Sequence, residues 1–264
     1  MRKLIALLLP ILLLVAGCNS SLPEEDLGEA YIMGTDQQYY FSPILGCICE
    51  SEDSYYCLQS NWCLYMKDKE TGETAIMCNK PDCLHDKEND YARQMECNAY
   101  FIGCWAVNYY QGKLYVHALI DGENIGENYS VVYEMDTTGS TRKEIYRSKE
   151  QIDAMIVHRG YLYLSFSDFK LFDSTYEENP ELLEGCKCEV VRVPINNPSQ
   201  KPEIIWEETE KPCQINAMFA YGNRIYMLIT SDEVPGFQVY NIQGKSVYVP
   251  EISITGSSYC CNCG

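Results

Sequence analysis

The feature that most limits what this chain can become is a short unit that recurs along it. A turn containing glycine leads into an apolar run in which Leu or Ile precedes Tyr. Gln111-Gly112 opens Lys113-Leu-Tyr-Val-His-Ala-Leu-Ile120, Arg159-Gly160 opens Tyr161-Leu-Tyr-Leu-Ser-Phe166, and Gly222-Asn223 opens Arg224-Ile-Tyr-Met-Leu-Ile229. Short runs rich in β-branched and aromatic residues, punctuated by turn residues, read as antiparallel meanders.

The unit around Gln111 continues through Val131-Val-Tyr-Glu-Met-Asp136, a turn at Gly139 and Glu144-Ile-Tyr146, which gives three β runs. A third unit holds Ala154–Val157, Tyr161–Phe166, Cys188–Val193 and Glu203–Trp206; a fourth holds Ala217–Ala220, Arg224–Ile229, Phe237–Tyr240 and Ser246–Val249. The first unit is irregular: Gln38–Phe41 reads as a strand, and Cys63–Asp68 turns through Thr71-Gly72 into Thr74–Met77, like the Gly139 hairpin.

The aligned tyrosines Tyr115, Tyr163 and Tyr226 stand 48 and 63 residues apart. Propeller blades take about 40–50 residues, and a polar loop from Asp168 to Lys187 accounts for the longer step. The tyrosine-bearing runs are apolar on both faces, so both faces must be covered. Blades stacked around an axis do that, whereas a lone sheet with one wet face does not. A β-sandwich explains short strands but not the recurrence, and a solenoid has a shorter period. No amphipathic helix of useful length is legible. The expected fold is therefore all-β, a β-propeller-like repeat of meander blades spanning 38–255. About four units are visible where propellers close with typically four to eight. The tail at 256–264, with Cys260, Cys261 and Cys263, offers no closing strand, so an incomplete propeller is expected.

The amino terminus points outside the cytoplasm. Arg2 and Lys3 precede an apolar stretch, Leu4–Val15, and Leu14-Val-Ala-Gly-Cys18 resembles the lipobox of bacterial lipoproteins. Residues 1–18 are then a lipoprotein signal peptide, and Cys18 carries the lipid. The apolar stretch is short for a transmembrane span. Residues 19–37 read as an acidic tether between membrane and folded body.

The charge is −18, with 38 acidic against 20 basic side chains. Loss of Arg2 and Lys3 with the signal peptide leaves 18 basic residues and a charge of −20. Such acidity repels phosphate backbones, so no nucleic-acid partner is expected. The 22 tyrosines, beside 7 Phe and 3 Trp, suit half-buried pleated surfaces.

Fifteen cysteines imply either an oxidising compartment or thiolate–metal chemistry. The densest part is an insert, residues 78–104: Cys78-Asn-Lys-Pro-Asp-Cys83-Leu-His85-Asp86, then Cys97-Asn-Ala-Tyr-Phe101 and Cys104. Cys78, Cys83, His85 and Cys97 make a Cys₃His set with spacing C-x4-C-x-H-x11-C, which a structural zinc accepts tetrahedrally. A disulfide staple with His85 at the surface explains the same residues, and a reactive thiol is a third reading. Cys47-x-Cys49 and Cys186-x-Cys188 each place two thiols on one strand face, which suits cross-strand pairing. Cys57, Cys63, Cys104 and Cys213 serve equally as buried filler or bridges.

The string C-N-K-P-D-C-L-H-D followed by C-N-A-Y-F resembles uncharacterised lipoproteins of anaerobic gut Firmicutes. These carry a lipobox, this Cys/His insert and Tyr-rich repeats akin to a domain of unknown function likened to the LDL-receptor-related propeller. The resemblance implies a propeller and a longer chain, and it brings no activity with it.

No nucleophile elbow, H-E-x-x-H pair, P-loop or dinucleotide fingerprint is present. His117 and His158 fall on a strand and at a turn, as packing residues do. Acidic pairs such as Glu177-Glu178 and Glu207-Glu208 read as solvated charge, not as a glycosidase pair. Three functions compete: a lipid-anchored binding or scaffold module for a protein, peptide or glycan; a metal or redox protein built on the insert; and an envelope hydrolase or lyase on a propeller.

Overall fold

A computed structural model describes residues 28, 30–36, 48–104, 106–122, 124, 126–168, 186–231, 236–241 and 246–248. The signal peptide with Cys18, the strand expected at Gln38–Phe41, Cys47, most of the 168–187 loop and the tail at 256–264 lie outside them.

Four antiparallel sheets of four strands follow one another along the chain, each in sequential order. Blade one comprises β1 (Ile48–Glu50), β2 (Ser54–Leu58), β3 (Leu64–Asp68) and β4 (Thr74–Ile76). Blade two comprises β5 (Val107–Tyr110), β6 (Lys113–Asp121), β7 (Asn128–Asp136) and β8 (Arg142–Ser148). Blade three holds β9 (Ile152–His158), β10 (Tyr161–Ser167), β11 (Cys188–Pro194) and β12 (Glu203–Glu208). Blade four holds β13 (Cys213–Tyr221), β14 (Arg224–Ser231), β15 (Gly236–Asn241) and β16 (Ser246–Tyr248). The first strands of successive blades are neighbours, β1 beside β5, β5 beside β9 and β9 beside β13. This is a propeller-like array of four blades among the described residues.

Blade two has four strands rather than the three read from sequence. Val107-Asn-Tyr-Tyr110 pairs with β6 across the Gln111-Gly112 turn, which is therefore internal to the blade. Blade one likewise opens with β1 and β2, whose Cys, Glu, Ser and Tyr content gives no clean alternation.

The recurrent turns work through backbone sign. Gln111 and Gly112 have φ of 46° and 78°, and Arg159 and Gly160 have 47° and 82°. Two successive left-handed residues define the two-residue hairpin turn whose twist matches the flanking strands. Gly supplies the second position without strain. Arg159 occupies its position while its side chain is held by Asp36, described below.

Three apolar cores separate the four blades, and strand alternation assigns each side chain to one of them. On β6, Leu114, Val116 and Ala118 join Leu64 and Tyr56 of blade one. Tyr115, on the opposite face, joins Leu162, Leu164 and Met155 of blade three. On β10 the same rule sends Tyr163 into the next core with Ile215, Met218 and Met227 of blade four. Each fully buried Leu, Ile or Met here contributes roughly 1.5–3 kcal/mol. Tyr226, the third aligned tyrosine, has no following blade among the described residues. It is half-buried and stacks on Phe219 at 4.6 Å between centroids.

Residues 30–36, read from sequence as the end of a tether, pack against blades three and four. Asp36 is buried and accepts from Arg159 Nε at 2.6 Å and from the Gly222 amide at 3.0 Å. Arg159 also donates to the Gly28 and Ala30 carbonyls at 2.7 and 2.9 Å. The acidic composition that suggested solvated chain is overridden at Asp36 by a buried guanidinium.

Candidate metal centre

The insert leaves blade one at β4 and enters blade two at β5. Its first knuckle follows directly from the strand end: the Cys78 amide bonds back to the Ile76 carbonyl at 2.8 Å, and Cys83 N–H reaches the Lys80 carbonyl at 3.3 Å. Pro81 lies inside that second turn, where its fixed φ favours a tight bend. His85 then adopts φ of 54° and begins a single 3₁₀ turn, His85–Lys87. Positive φ is uncommon outside glycine, though His tolerates it better than most residues. A helix of six residues, α1 (Tyr91–Glu96), follows, with the Asp90 carboxylate capping the Arg93 amide at 3.0 Å. Cys97 is the residue on which α1 ends, and its amide bonds to the Gln94 carbonyl.

These turns bring the four predicted donors together. One ligand atom from each of Cys78, Cys83, His85 and Cys97 lies within 4.8 Å of all the others, and Cys97 Sγ is 3.8 Å from His85 Nδ1. A tetrahedral ion with bonds of about 2.0–2.3 Å needs donors about 3.5–3.8 Å apart. The set fits such an ion after a small contraction. Cys78 and Cys97 are buried, while Cys83 and His85 are partly exposed. The cluster can hold a metal ion.

The thiols are electrostatically unequal. Burial pushes Cys78 up, but amides of Lys80 and Asn98 and the thiols of Cys97 and Cys83 outweigh it, and its net shift is downward. Burial drives Cys97 strongly up against the Ala99 amide, and proximity to Cys83 and Cys78 drives it further. One thiolate thus suppresses its neighbours, and a divalent cation reverses that order by stabilising every anionic donor at once. Cys63, at the edge of the cluster, is pushed up to about 11 by burial and by Asp86, Cys83 and Cys78.

Blade two clamps the insert from outside. Gly139, in the β7–β8 turn, packs so closely that a Cβ on it would lie 2.5 Å from the Met77 carbonyl carbon and 2.7 Å from the Cys78 nitrogen. Asn98 Nδ2 donates to the Gly139 and Ser140 carbonyls at 2.9 and 3.1 Å. Arg142 donates to the carbonyls of Cys97 and Tyr100 at 2.8 and 2.9 Å and to that of Met95 at 2.6 Å. Its guanidinium lies 5.0 Å from the Tyr133 ring centre and 5.6 Å from that of Phe101. Outer partners of this kind orient metal ligands. Sequence gave no sign of Asn98 or Arg142, because each acts through backbone carbonyls distant in the chain.

The remaining cysteines separate from this set. No disulfide joins any of the ten described cysteines. Among the described residues cross-strand pairing is absent: Cys49 stands opposite Tyr56, and Cys188 opposite Ser167 and Glu208. Cys104 is buried and donates to the Ala106 carbonyl at 3.4 Å, apart from the cluster. His117 and His158 are fully buried in the blades; His117 Nε2 lies 3.3 Å from Ser130 Oγ, and His158 Nε2 donates to the Gly222 carbonyl at 2.7 Å.

No protein-family model matches the chain, and no curated protein matches it. Among solved structures, a chain of the nidogen/laminin complex superposes with a TM-score of 0.47 at 7% identity, over 79% of this chain and 65% of that one. Oligogalacturonate lyase from Vibrio parahaemolyticus gives 0.44 at 11% identity, over 81% of this chain and 52% of that one. The computationally designed Ika4 protein gives 0.42 at 9%, over 77% of this chain and 94% of that one. This chain thus spans less than two thirds of the first two, and the assignment of its fold rests on its own sheets.

Proposed function

We propose that this chain is a lipid-anchored, extracytoplasmic propeller-type module that binds or scaffolds a protein, peptide or glycan, with a structural zinc ion holding blades one and two together. The observation that carries this reading is the closed donor set formed by Cys78, Cys83, His85 and Cys97. Three thiolates and an imidazole fill a tetrahedral shell and leave no position for an activated water, so the ion's chemistry is cross-linking. Soft sulfur donors in tetrahedral array favour zinc over magnesium, calcium or manganese. The other two histidines are buried within blades rather than facing this cluster. The lipobox string ending at Cys18 supports the anchor.

Metal analysis of protein purified without oxygen tests the zinc reading. One zinc per chain is expected, lost in Cys83→Ser, with a fall in melting temperature when a chelator removes it. A metal-free protein of unchanged stability overturns it. Labelled palmitate tests the anchor: incorporation should disappear in Cys18→Ser, and an unlabelled parent chain overturns it.

A further inference from the structure

Outside the metal centre, a second pair of cysteines meets across a blade boundary. Cys188 is the first residue of β11 in blade three, and Cys213 is the first residue of β13 in blade four. Both are buried, at 1% and 3% exposure, and both belong to the core between these blades, with Val190 and Ile215. Strand alternation turns Cys188 and Val190 toward blade four, while Val191 faces blade two. The chain passes from β12 to β13 through residues 209–212, and that crossover sets Cys213 beside Cys188. Across this shared core the two thiols interact, Cys213 holding Cys188 up and Cys188 drawing Cys213 down. Neither pairs with a cysteine across its own sheet: Cys188 stands opposite Ser167 and Glu208, and Cys213 opposite Ser231.

We propose that Cys188 and Cys213 are a redox-active pair that closes to a disulfide between blades three and four when the protein meets a disulfide oxidant. Cys213 attacks first. It lies at the end of the crossover, where Thr209, Glu210 and Lys211 are exposed, so a local outward movement reaches it without opening either sheet. Proximity to Cys188 lowers the Cys213 pKa, which favours its thiolate. Its sulfur displaces one sulfur of the oxidant, giving a mixed disulfide and one released thiolate. Cys188 then loses its proton to solvent and attacks the Cys213 sulfur, releasing the second thiolate. Two thiols lose two electrons and two protons, and the oxidant's disulfide takes up the electrons as it becomes two thiols.

Among the described cysteines, the other candidate in blades three and four is Cys186. Cys186 lies two residues before Cys188 on the same segment, and its own burial and Asp168 push it up. The other described cysteines belong to blade one or the insert, including the metal cluster.

The test uses the full chain, zinc-loaded so that the metal-centre thiols are capped. It is incubated with oxidised glutathione, alkylated and digested. The expected result is one new linked pair of peptides containing Cys188 and Cys213, absent from Cys188→Ser and Cys213→Ser. The melting temperature of the parent should rise by about 5–10 °C, since the bond closes a loop of intermediate length in a chain of this size. A link from Cys186 to either residue overturns the proposal. So does full alkylation of both cysteines after the oxidant has converted exposed thiols. Peptide mapping of the parent decides the question even where a serine variant folds poorly, because the Cys188–Cys213 link is read from its own two peptides, whatever links the insert thiols form if zinc does not cap them.

Discussion

Gly139→Ala, set against Gly72→Ala, measures how tightly blade two is locked onto the Cys/His insert. The two glycines occupy corresponding turns. Gly72 follows Asp68, whose carboxylate accepts from the amides of Glu70 and Thr71; Gly139 follows Asp136, whose carboxylate accepts from those of Thr138 and Ser140. Their φ values are 72° and 73°, so an alanine meets nearly the same backbone strain at each, about 1–2 kcal/mol. Their surroundings differ completely. A Cβ at Gly72 meets nothing within 4 Å, whereas one at Gly139 lies 2.5–2.7 Å from backbone atoms of Met77 and Cys78. Backbone cannot rotate aside, so the β7–β8 turn and the metal knuckle must separate, at an overpacking cost of about 1–3 kcal/mol more. In denaturant melts of the zinc-loaded protein, Gly139→Ala should therefore lose about 1–3 kcal/mol beyond Gly72→Ala. Because Cys78 is displaced, it should also bind zinc at least about tenfold more weakly, equivalent to roughly 1.4 kcal/mol. Equal stability loss in the two variants, with equal zinc affinity, would falsify the docking of blade two on the insert.

Two further outcomes follow from the buried charges. Asp36→Leu leaves the Arg159 guanidinium buried without its carboxylate and should cost about 3–5 kcal/mol in denaturant titrations, while Asp36→Leu with Arg159→Met should recover much of that; a double variant no better than the single one contradicts the ion-pair account. Burial lowers the His117 pKa to about 3 from its ordinary 6.5. The unfolded chain therefore takes up a proton below about pH 6.5 that the folded chain refuses until about pH 3, so stability present above 6.5 is lost as pH falls through that window. At pH 4 the loss is about 3 kcal/mol, and His117→Gln should flatten the acid limb by that amount; an unchanged limb refutes it. His158, also lowered by burial, adds to the same limb and remains in that variant.

The parts of this fold that were legible in sequence are those where one strand carries its own complete signal. β6, β10 and β14 are apolar on both faces and preceded by glycine turns, and the position of β6 and β10 between two blades is the direct consequence. β5 was not legible, because Val107-Asn-Tyr-Tyr110 is short and its Asn108 is buried; Asn108 Oδ1 accepts from the Val157 amide of the next blade at 3.4 Å. A polar residue that belongs inside only because of a neighbour 49 residues away looks like loop when read alone. The same limit applied at Asp36, where an acidic residue expected in a tether is buried by Arg159. At the insert, spacing and donor chemistry singled out the four side chains that the fold gathers into one cluster. They did not identify Arg142 or Gly139, whose roles are created by the packing of blade two.

Strand length gives a physical reason why the proposed metal would serve at this junction rather than another. The strands of blade one have 3, 5, 5 and 3 residues, whereas β6 and β7 of blade two have nine each. A sheet that small presents too little apolar surface to hold a much larger neighbour, and small units commonly add a metal or covalent staple for that reason. The insert supplies both remedies. Ala99, Tyr100, Phe101 and Cys104 enter the core between blades one and two, extending the surface that blade one lacks. Segment 99–101 also bonds alongside β3, through Leu64 N–H to the Ala99 carbonyl and Phe101 N–H to the Trp62 carbonyl, both at 2.8 Å. An ion held by the four donors would then fix the two ends of the insert's loop, Cys78 and Cys97, on one point. On this argument, metal removal should loosen blade one and the insert before it affects blades three and four. Hydrogen exchange with and without chelator would show this as lost protection at Leu64 and Phe101, with the Leu162 and Leu164 amides unchanged; uniform loss across all four blades would mean that the ion stabilises the array globally rather than at its weakest seam.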